Sequence, residues 1–221
     1  MQRIVLFLVG AVLLVGCALH GVSPAQHLPA GDLLEDSRAT PPQGVTLRTV
    51  YAKGLQVTKD SEGWRSRLYD DAAGYCTIGY GHLLKKARCN GTEPPEFLSG
   101  LTKPAGERLL VDDMGGAQYT VMSNVRVSMT DGQFGSLVDF VFNVGSTNFR
   151  NSTLLRTVNS GQLNRVSGQF RRWTKAGGQV WPGLQKRRER EIDLFFEGIE
   201  NLRAVPPEGE DLSPIDIRTG E

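Results

Sequence analysis

The residues of this chain whose types and spacing most clearly suggest chemistry are Glu62, Asp71 and Thr77, which follow one another at intervals of nine and six residues. Hydrolysis of a bond between two sugars uses two carboxyl groups, one protonated to donate to the leaving oxygen and one ionised to activate water. A hydroxyl beside the ionised carboxyl can help to hold that water. The three residues therefore suggest a glycosidase site. The alternative is that each only satisfies backbone groups of its own helix end, turn or strand.

Local sequence signals predict how these side chains are held. Residues 53–62 are predicted to form a short helix that Gly63 ends, so that Glu62 falls in the last turn. The negative end of the helix dipole disfavours another negative charge there, and a cleft wall would add desolvation; both effects favour a protonated carboxyl. Asp71 falls in a polar turn, where backbone amides and water would keep it ionised. Thr77, on the strand that returns from this turn, could approach Asp71 across a hairpin.

The rest of the domain is predicted to be mostly helical. Two strands, at 68–69 and 75–80, form the hairpin, and after His82 the signals become helical. Thr130 and Gln133 have the spacing of a capping box ahead of an apolar stripe. Further helical stretches are expected near 104–123, 151–159, 161–175 and 183–198. Few strands and many helices predict an α+β fold, in which a small hairpin lobe faces a larger helical lobe across a cleft.

The chain has 221 residues, and its charge is unevenly distributed around a net value of +1. One domain is predicted at 51–203, after a Pro-, Gly- and Ala-rich linker at 20–50. Residues 141–190 contain ten Lys or Arg and one acid, which predicts a positive surface with a polyanionic partner. The basic cluster at 186–190 is interpreted as a solvated helix face. Residues 204–221 are acidic and contain three prolines, which predicts a disordered tail.

Residues 1–19 have the composition of an export signal. Their apolar run of 16 residues, from Ile4 to Leu19, is short for a membrane-spanning helix but suits a signal-peptide core. The run contains LVGC at 14–17, which resembles the bacterial lipobox and implies lipidation of Cys17. One alternative is a signal anchor that stays in the membrane or later leaves it. Another is a buried helix at the start of the domain.

Two further cysteines, Cys76 and Cys89, lie on either side of the loop after the predicted hairpin. In an oxidising compartment they would form a disulfide that staples the loop beside the candidate site. The alternative is a pair of unlinked thiols in a cytosolic protein.

The histidines exclude several competing chemistries. The sequence contains three, His20, His27 and His82, and the first two precede the predicted domain. A zinc amidase or peptidase needs clustered ligands, so neither a metal nor a cofactor is predicted. A Ser–His–Asp hydrolase could use only His82, and the sequence has neither a nucleophile-elbow motif nor a Gly-rich phosphate loop.

The residues around the three candidates resemble a known family. Between Glu62 and His82 the chain reads EGWRSRLYDDAAGYCTIGYGH, which resembles the phage-type lysozymes, the endolysins of T-even and related phages, without insertion or deletion. The resemblance covers roughly residues 52–198. It continues downstream in FNVG at 142–145, in NFRNSTLLR at 148–156, and in Trp173 with the AGG, PGL and RRE motifs that follow it. One departure from the family is the insertion-like ARCNGTEPPE at 87–96.

The resemblance implies a muramidase that cleaves the β-1,4 bond between N-acetylmuramic acid and N-acetylglucosamine with inversion. It implies that Glu62 protonates the leaving oxygen and that Asp71, assisted by Thr77, orients the attacking water. Inverting enzymes hold the two carboxyls about 6.5–9.5 Å apart to leave room for that water. Three positions match family residues that contact the sugars: Leu83, Phe142 and Ser152.

Other residues near the site have simpler interpretations. His82 is interpreted as a structural histidine that pairs with a carboxylate and braces the hairpin. Trp173 and Trp181 could stack on sugars, although core packing is the simpler interpretation of Trp173.

The expected partners are the glycan strands of peptidoglycan and, through the N-terminal segment, the bacterial membrane. No nucleic-acid partner is expected, and the protein is expected to be a monomer that is tethered in the bacterial envelope and faces the periplasm. One alternative is a lysozyme-like module that binds peptidoglycan, or scaffolds other proteins, without cutting. Such a module would be expected to lose a catalytic residue or to fill the cleft. Another alternative is an envelope lipoprotein of purely structural use.

Overall fold

The computed structural model of the protein describes residues 40–71, 73–199 and 207–221. The export segment 1–19 with Cys17, and most of the predicted linker, lie outside these residues. Within the described residues the elements follow in this order: α1 (Ala52–Glu62), β1 (Arg65–Asp70), β2 (Cys76–Gly79), β3 (His82–Lys85), α2 (Pro95–Leu98), α3 (Lys103–Asp113), α4 (Gly115–Asn124), α5 (Asp131–Val144), α6 (Ser146–Asn151), α7 (Thr153–Asn159), α8 (Leu163–Arg172), β4 (Lys175–Ala176), β5 (Gln179–Val180) and α9 (Pro182–Phe195).

The first three strands form an antiparallel sheet in the order β1–β2–β3. Thr77, in the central strand, lies opposite Tyr69 of β1 and Leu83 of β3. Gly79 and Gly81 have φ angles of 70° and 82°, which side chains disfavour, so these glycines permit the tight connection from β2 to β3. The sheet thus fixes the backbone on both sides of Thr77.

Helix α5 is the centre of the helical lobe and is almost entirely buried. It begins with the predicted capping box: Gln133 N–H donates to Thr130 Oγ1, and Thr130 N–H donates to Gln133 Oε1. Helix α1 packs closely against α5, because a Cβ atom on Gly54 would lie 3.2 Å from the Cα atom of Gly135. This close approach holds α1, and with it Glu62, against the core.

The predicted α+β fold is confirmed, but several elements differ from the sequence prediction. Residues 82–85 form a strand rather than the start of a helix, because they pair with β2. The helix predicted at 104–123 is two helices that meet at Met114, where the weak helix formers Gly115 and Gly116 follow. Residues 175–180 form a hairpin of two short strands, which was not predicted.

Residues 207–221, here called the acidic segment, pack against the helical lobe, whereas their composition predicts a disordered tail. Ile215 and Ile217 are buried in the same core as α5. Backbone hydrogen bonds accompany this burial: Ile215 N–H donates to Arg172 O at 2.6 Å, and Ile217 N–H donates to Lys175 O at 2.9 Å. Two isoleucines in an otherwise polar stretch are therefore enough, with these bonds, to dock the segment.

Basic side chains of the helical lobe are the ionic partners of the acidic segment. Arg165 Nε lies 3.1 Å from Glu210 Oε1. Arg172 lies 3.4 Å from Asp211 Oδ2 and 3.2 Å from Glu221 Oε1. Part of the positive surface that was predicted to attract a polyanion is therefore paired within the chain.

The end of the predicted linker also contacts the domain. Arg48 Nη2 donates to Asp131 Oδ1 at 2.8 Å and to Met129 O at 3.2 Å. The folded part therefore begins before residue 51. Within the ranges 40–71, 73–199 and 207–221, none of the helices combines the length and the apolar character that crossing a bilayer requires.

Candidate active site

Glu62 is the last residue of α1, as predicted. Gly63 follows with a φ of 72° and its N–H donates to Lys59 O at 3.0 Å, which ends the helix. The Glu62 side chain is largely buried, and its Oε1 accepts a hydrogen bond of 2.8 Å from Arg187 Nη1 of α9. Its Oε2 has no hydrogen-bond partner among the described residues. The carboxyl is thus held at one oxygen while the other is available to a ligand.

Asp71 begins the turn between β1 and β2. Its Oδ1 accepts hydrogen bonds of 2.9 Å from the N–H groups of Ala73 and Tyr75, and its own N–H donates to Tyr75 O at 2.9 Å. These bonds fix the orientation of the carboxyl. Its Oδ2 is buried and has no hydrogen-bond partner among the described residues. Because buried polar atoms normally have a partner, Oδ2 is a position at which a water or a substrate group would bind.

Thr77 and Asp71 converge on the backbone of Tyr75. Thr77 is almost fully buried, and its Oγ1 donates to Tyr75 O at 3.1 Å, the same carbonyl that accepts the Asp71 N–H. A hydroxyl that donates one hydrogen bond can still accept from a water. The Thr77 hydroxyl is therefore bound to the turn that carries Asp71, while joint action of the two side chains stays a prediction.

Arg187 connects Glu62 to a cluster of buried charges. It donates from Nη2 to Asp139 Oδ1 at 2.8 Å and from Nε to Asp139 Oδ2 at 3.0 Å, a bidentate pair inside the helical lobe. Arg188 is fully buried and lies 2.9 Å from Glu191 Oε1. The interpretation of residues 186–190 as a solvated face is therefore wrong for these two arginines.

Burial and charge pairing act in opposite directions on the acids of this cluster. Burial raises the pKa of Glu191 well above its usual range. Burial also acts to raise the pKa of Asp139, but the Arg187 guanidinium outweighs it and holds that pKa below its usual range. Arg187 thus contacts both Asp139 and Glu62, while Arg188 contacts Glu191. A buried cluster of this kind fixes the position of Arg187, and through it the Glu62 carboxyl.

The predicted sugar contacts differ in their exposure. Leu83 is partly exposed on β3. Phe142 is fully buried in α5, and Ser152 is fully buried before α7, where its Oγ accepts from Leu155 N–H at 3.0 Å and donates to Phe149 O at 2.8 Å. The serine is thus a helix N-cap. The sugar-contacting role of all three positions stays a prediction.

His82 has a carboxylate partner. Its Nδ1 lies 2.9 Å from Asp113 Oδ2 of α3, and its ring lies 5.9 Å from that of Phe97, measured between centroids. The contact joins β3 to α3, the geometry expected of a histidine that braces the hairpin. Trp173 is fully buried in the core, as its simpler interpretation expects.

Cys76 and Cys89 form a disulfide, so the alternative of unlinked thiols is not what the structure has. Together with Glu93 they are a group whose potential ligand atoms lie within 4.8 Å of one another, close enough for a metal ion. Both sulfurs are consumed by the disulfide, however, and only thiolates are good metal ligands. Glu93 Oε1 lies 2.7 Å from Lys85 Nζ, and its oxygens also accept from backbone amides of the loop. The group is therefore a staple of the loop 86–94.

Removing the disulfide is expected to destabilise the fold. Cys76→Ser together with Cys89→Ser should lower the free energy of unfolding by about 2–4 kcal/mol, since the bridge closes a loop of 13 residues. Urea unfolding of the double variant measures this loss. Wild-type protein unfolded in a reducing agent should show the same midpoint as the double variant, and equal stability of oxidised wild type and variant would contradict the prediction.

The Glu93 carboxylate is expected to make stability pH-dependent at low pH. The hydrogen bond from Lys85 lowers the pKa of Glu93 from 4.5 to about 2. Because the folded pKa is the lower one, the contribution is present above pH 4.5 and is lost as pH falls towards 2. The melting temperatures of wild type and Glu93→Gln should therefore differ at pH 6 and converge near pH 2. A constant difference across that range would contradict the pKa shift.

The sequence of this chain matches a known protein family. The family model described as "Phage lysozyme" matches residues 59–191, which include all three candidate residues. The chain belongs to the phage lysozyme family. The predictions of this family, of its fold and of a lysozyme-type glycoside hydrolase are confirmed.

Individual relatives agree with the family assignment. The SAR-endolysin of Bacteriophage PS119 is 37% identical over 156 residues, which are 70% of this chain and 87% of the relative. The endolysin of Bacillus phage B103 is 36% identical over 147 residues, or 66% of this chain, and the chain spans 53% of that longer protein. A P22 lysozyme mutant of known crystal structure has 30% sequence identity to this chain. Its structure matches with a TM-score of 0.60, and the match covers 68% of this chain and 99% of the P22 chain.

Proposed function

We propose that this protein is an endolysin-type muramidase, which hydrolyses the β-1,4 bond between N-acetylmuramic acid and N-acetylglucosamine in bacterial peptidoglycan with inversion. The observation that carries the proposal is a pair of fixed carboxyls, each with one oxygen that has no hydrogen-bond partner among the described residues: Glu62 Oε2 and Asp71 Oδ2. The family and the names of the relatives support peptidoglycan as the substrate.

Each residue then has one step. Glu62 donates the proton on Oε2 to the glycosidic oxygen as the carbon–oxygen bond breaks, so that the leaving sugar departs with a hydroxyl. A water held between Asp71 Oδ2 and Thr77 Oγ1 attacks the anomeric carbon from the opposite face, and Asp71 takes its proton. Arg187 holds Oε1 of the acid in place. This mechanism requires a separation of about 6.5–9.5 Å between the two carboxyls.

The location follows from the N-terminal segment. We propose that residues 1–19 export the domain, which acts as a monomer on the periplasmic side of the envelope. Several relatives are named SAR-endolysins, which favours the signal anchor over lipidation of Cys17. Mass spectrometry of the mature protein distinguishes the two: a diacylglycerol-modified Cys17 supports the lipoprotein, and an intact Met1 supports the anchor.

The alternative of a silent peptidoglycan-binding module is not favoured, because Glu62, Asp71 and Thr77 are all present and the site keeps unpartnered oxygens. Digestion of purified murein, followed by mass spectrometry of the fragments, tests the proposal. We expect fragments that end in a reducing N-acetylmuramic acid, and the masses of the two fragments of one cut should together exceed that of the uncut strand by one water. Fragments with anhydro ends would indicate a transglycosylase reaction instead of hydrolysis. Unchanged murein would support the silent module.

A further inference from the structure

The hairpin β4–β5 leads directly to the candidate site. Trp181 follows β5 and is the N-cap of α9, and Arg187, which holds Glu62, lies six residues further along that helix. With a rise of 1.5 Å per residue, the start of α9 is about 9 Å from Arg187 along the helix axis. The hairpin therefore ends within two helical turns of the residue that holds the Glu62 carboxyl.

The end of this hairpin carries an exposed apolar side chain and an indole ring of fixed orientation. Val180 is 46% exposed. Trp181 is half-buried, and its indole N–H donates to Ala176 O at 2.9 Å, which fixes the orientation of the ring. An apolar side chain beside a fixed indole ring is a surface suited to the carbon faces of sugar rings, and binding sites combine such surfaces with a few polar groups.

The hairpin is too small to hold this surface by itself. Each of its strands has two residues, and isolated two-stranded hairpins are marginal in water. The acidic segment supplies the missing support as a third, parallel partner beside β4. Lys175 N–H donates to Ile215 O at 3.1 Å, and Ile217 N–H donates to Lys175 O at 2.9 Å.

Asp216 is the side chain of the acidic segment that holds the tip of the hairpin. Its Oδ2 accepts a hydrogen bond of 2.5 Å from Gly178 N–H in the turn between β4 and β5, and its Oδ1 accepts from Arg218 N–H at 2.9 Å. Gly177 and Gly178 both have positive φ, so the turn has no Cβ atoms that would limit its movement. Asp216 is therefore the contact that fixes a turn of high intrinsic freedom.

We propose that the hairpin, through Val180 and Trp181, is a glycan-contacting lip of the cleft, and that Asp216 is a positioning residue that holds this lip for substrate binding. The inference rests on the proposed function, because it names a further contact of the same substrate. The acidic segment lies outside the part of the chain that the family model matches, residues 59–191. The contact thus adds to the family's site an element that is supplied by this chain's own C-terminal sequence.

Steady-state kinetics on soluble glycan strands of uncrosslinked peptidoglycan tests the lip. Asp216→Ala should raise KM about 3–10-fold, the effect of losing one ordinary hydrogen bond, with kcat unchanged. Asp216→Asn keeps an acceptor oxygen and should recover part of the loss. Val180→Ser, an exposed change that leaves the hairpin bonds intact, should also raise KM.

Asp211→Ala is the matched control. Asp211 lies in the same segment and carries the same charge, but it contacts Arg172 and Ser213 rather than the hairpin. We expect the KM of Asp211→Ala to equal that of wild type. A KM that Asp216→Ala and Val180→Ser both leave unchanged would overturn the proposal, as would a rise in KM for Asp211→Ala equal to that for Asp216→Ala.

Equilibrium binding separates the lip from the catalytic proposal. In the Glu62→Gln background, Asp216→Ala should weaken binding of the same glycan strands by the same factor. If wild type binds the glycan strands but does not cleave them, the proposed function is contradicted and the proposed glycan contact of the hairpin is still supported. If Glu62→Gln binds strands equally well with and without Asp216→Ala, or does not bind them at all, the lip is overturned whatever the activity.

Discussion

Glu62→Gln is expected to lower kcat for murein cleavage by about 10³-fold, within the range that a positioned general acid contributes. The substitution keeps the shape of the side chain and an oxygen that can accept the hydrogen bond from Arg187. It removes only the acidic proton, which the leaving oxygen needs. The melting temperature should change little, because the glutamine keeps the hydrogen bond from Arg187 and that guanidinium stays paired with Asp139.

Glu107→Gln is the matched control for this substitution. Glu107 also pairs with a basic side chain, Lys59, at the edge of the same lobe interface. Glu107 has no role in the proposed mechanism, so the kcat of Glu107→Gln should equal that of wild type. Lysis by Glu62→Gln at the wild-type rate would show that another group donates the proton.

Arg187→Met is expected to lower the free energy of unfolding by about 3–5 kcal/mol, the effect of removing one partner of a buried ion pair. Methionine fills much of the volume but leaves the Asp139 carboxylate buried without a cation. Glu62 loses its anchor in the same change. We therefore expect kcat to fall as well, when it is measured on the folded fraction at low temperature.

Arg171→Met is the control for a surface pair. Arg171 donates two hydrogen bonds to Glu189, just as Arg187 donates two to the Asp139 carboxylate. The side chains of Arg171 and Glu189, however, are about half exposed. Exposed pairs contribute about 0–1 kcal/mol, so this variant should unfold almost like wild type. If the two methionine variants lose the same stability in chemical unfolding, burial does not set the strength of the Arg187 pair.

Local signals predicted the parts of the fold that depend on neighbouring residues. The capping box of α5 and the end of α1 at Gly63 were predicted because each depends on a few adjacent side chains or on one glycine. The turn that carries Asp71 follows from its Asp–Gly composition in the same way. Glu62, Asp71 and Thr77 could be assigned to their helix end, turn and strand for this reason, since they lie in one continuous stretch.

The rest depends on contacts between distant residues. Strand β3 forms because residues 82–85 pair with β2, a preference that their own composition does not express. The acidic segment docks through Ile215 and Ile217, which composition averages conceal. The burial of Arg187 and Arg188 had a visible signal: on α9 they share a face with Leu184 and Glu191, three or four residues away on either side.

The anomeric configuration of the product tests the central claim most directly. Proton NMR during digestion of glycan strands, before mutarotation equilibrates the new reducing ends, reports which anomer forms first. Attack by a water on the Asp71 and Thr77 side, opposite the Glu62 proton, predicts that the α anomer of N-acetylmuramic acid appears first. Initial formation of the β anomer would contradict this arrangement, because it requires a covalent intermediate or attack from the other face.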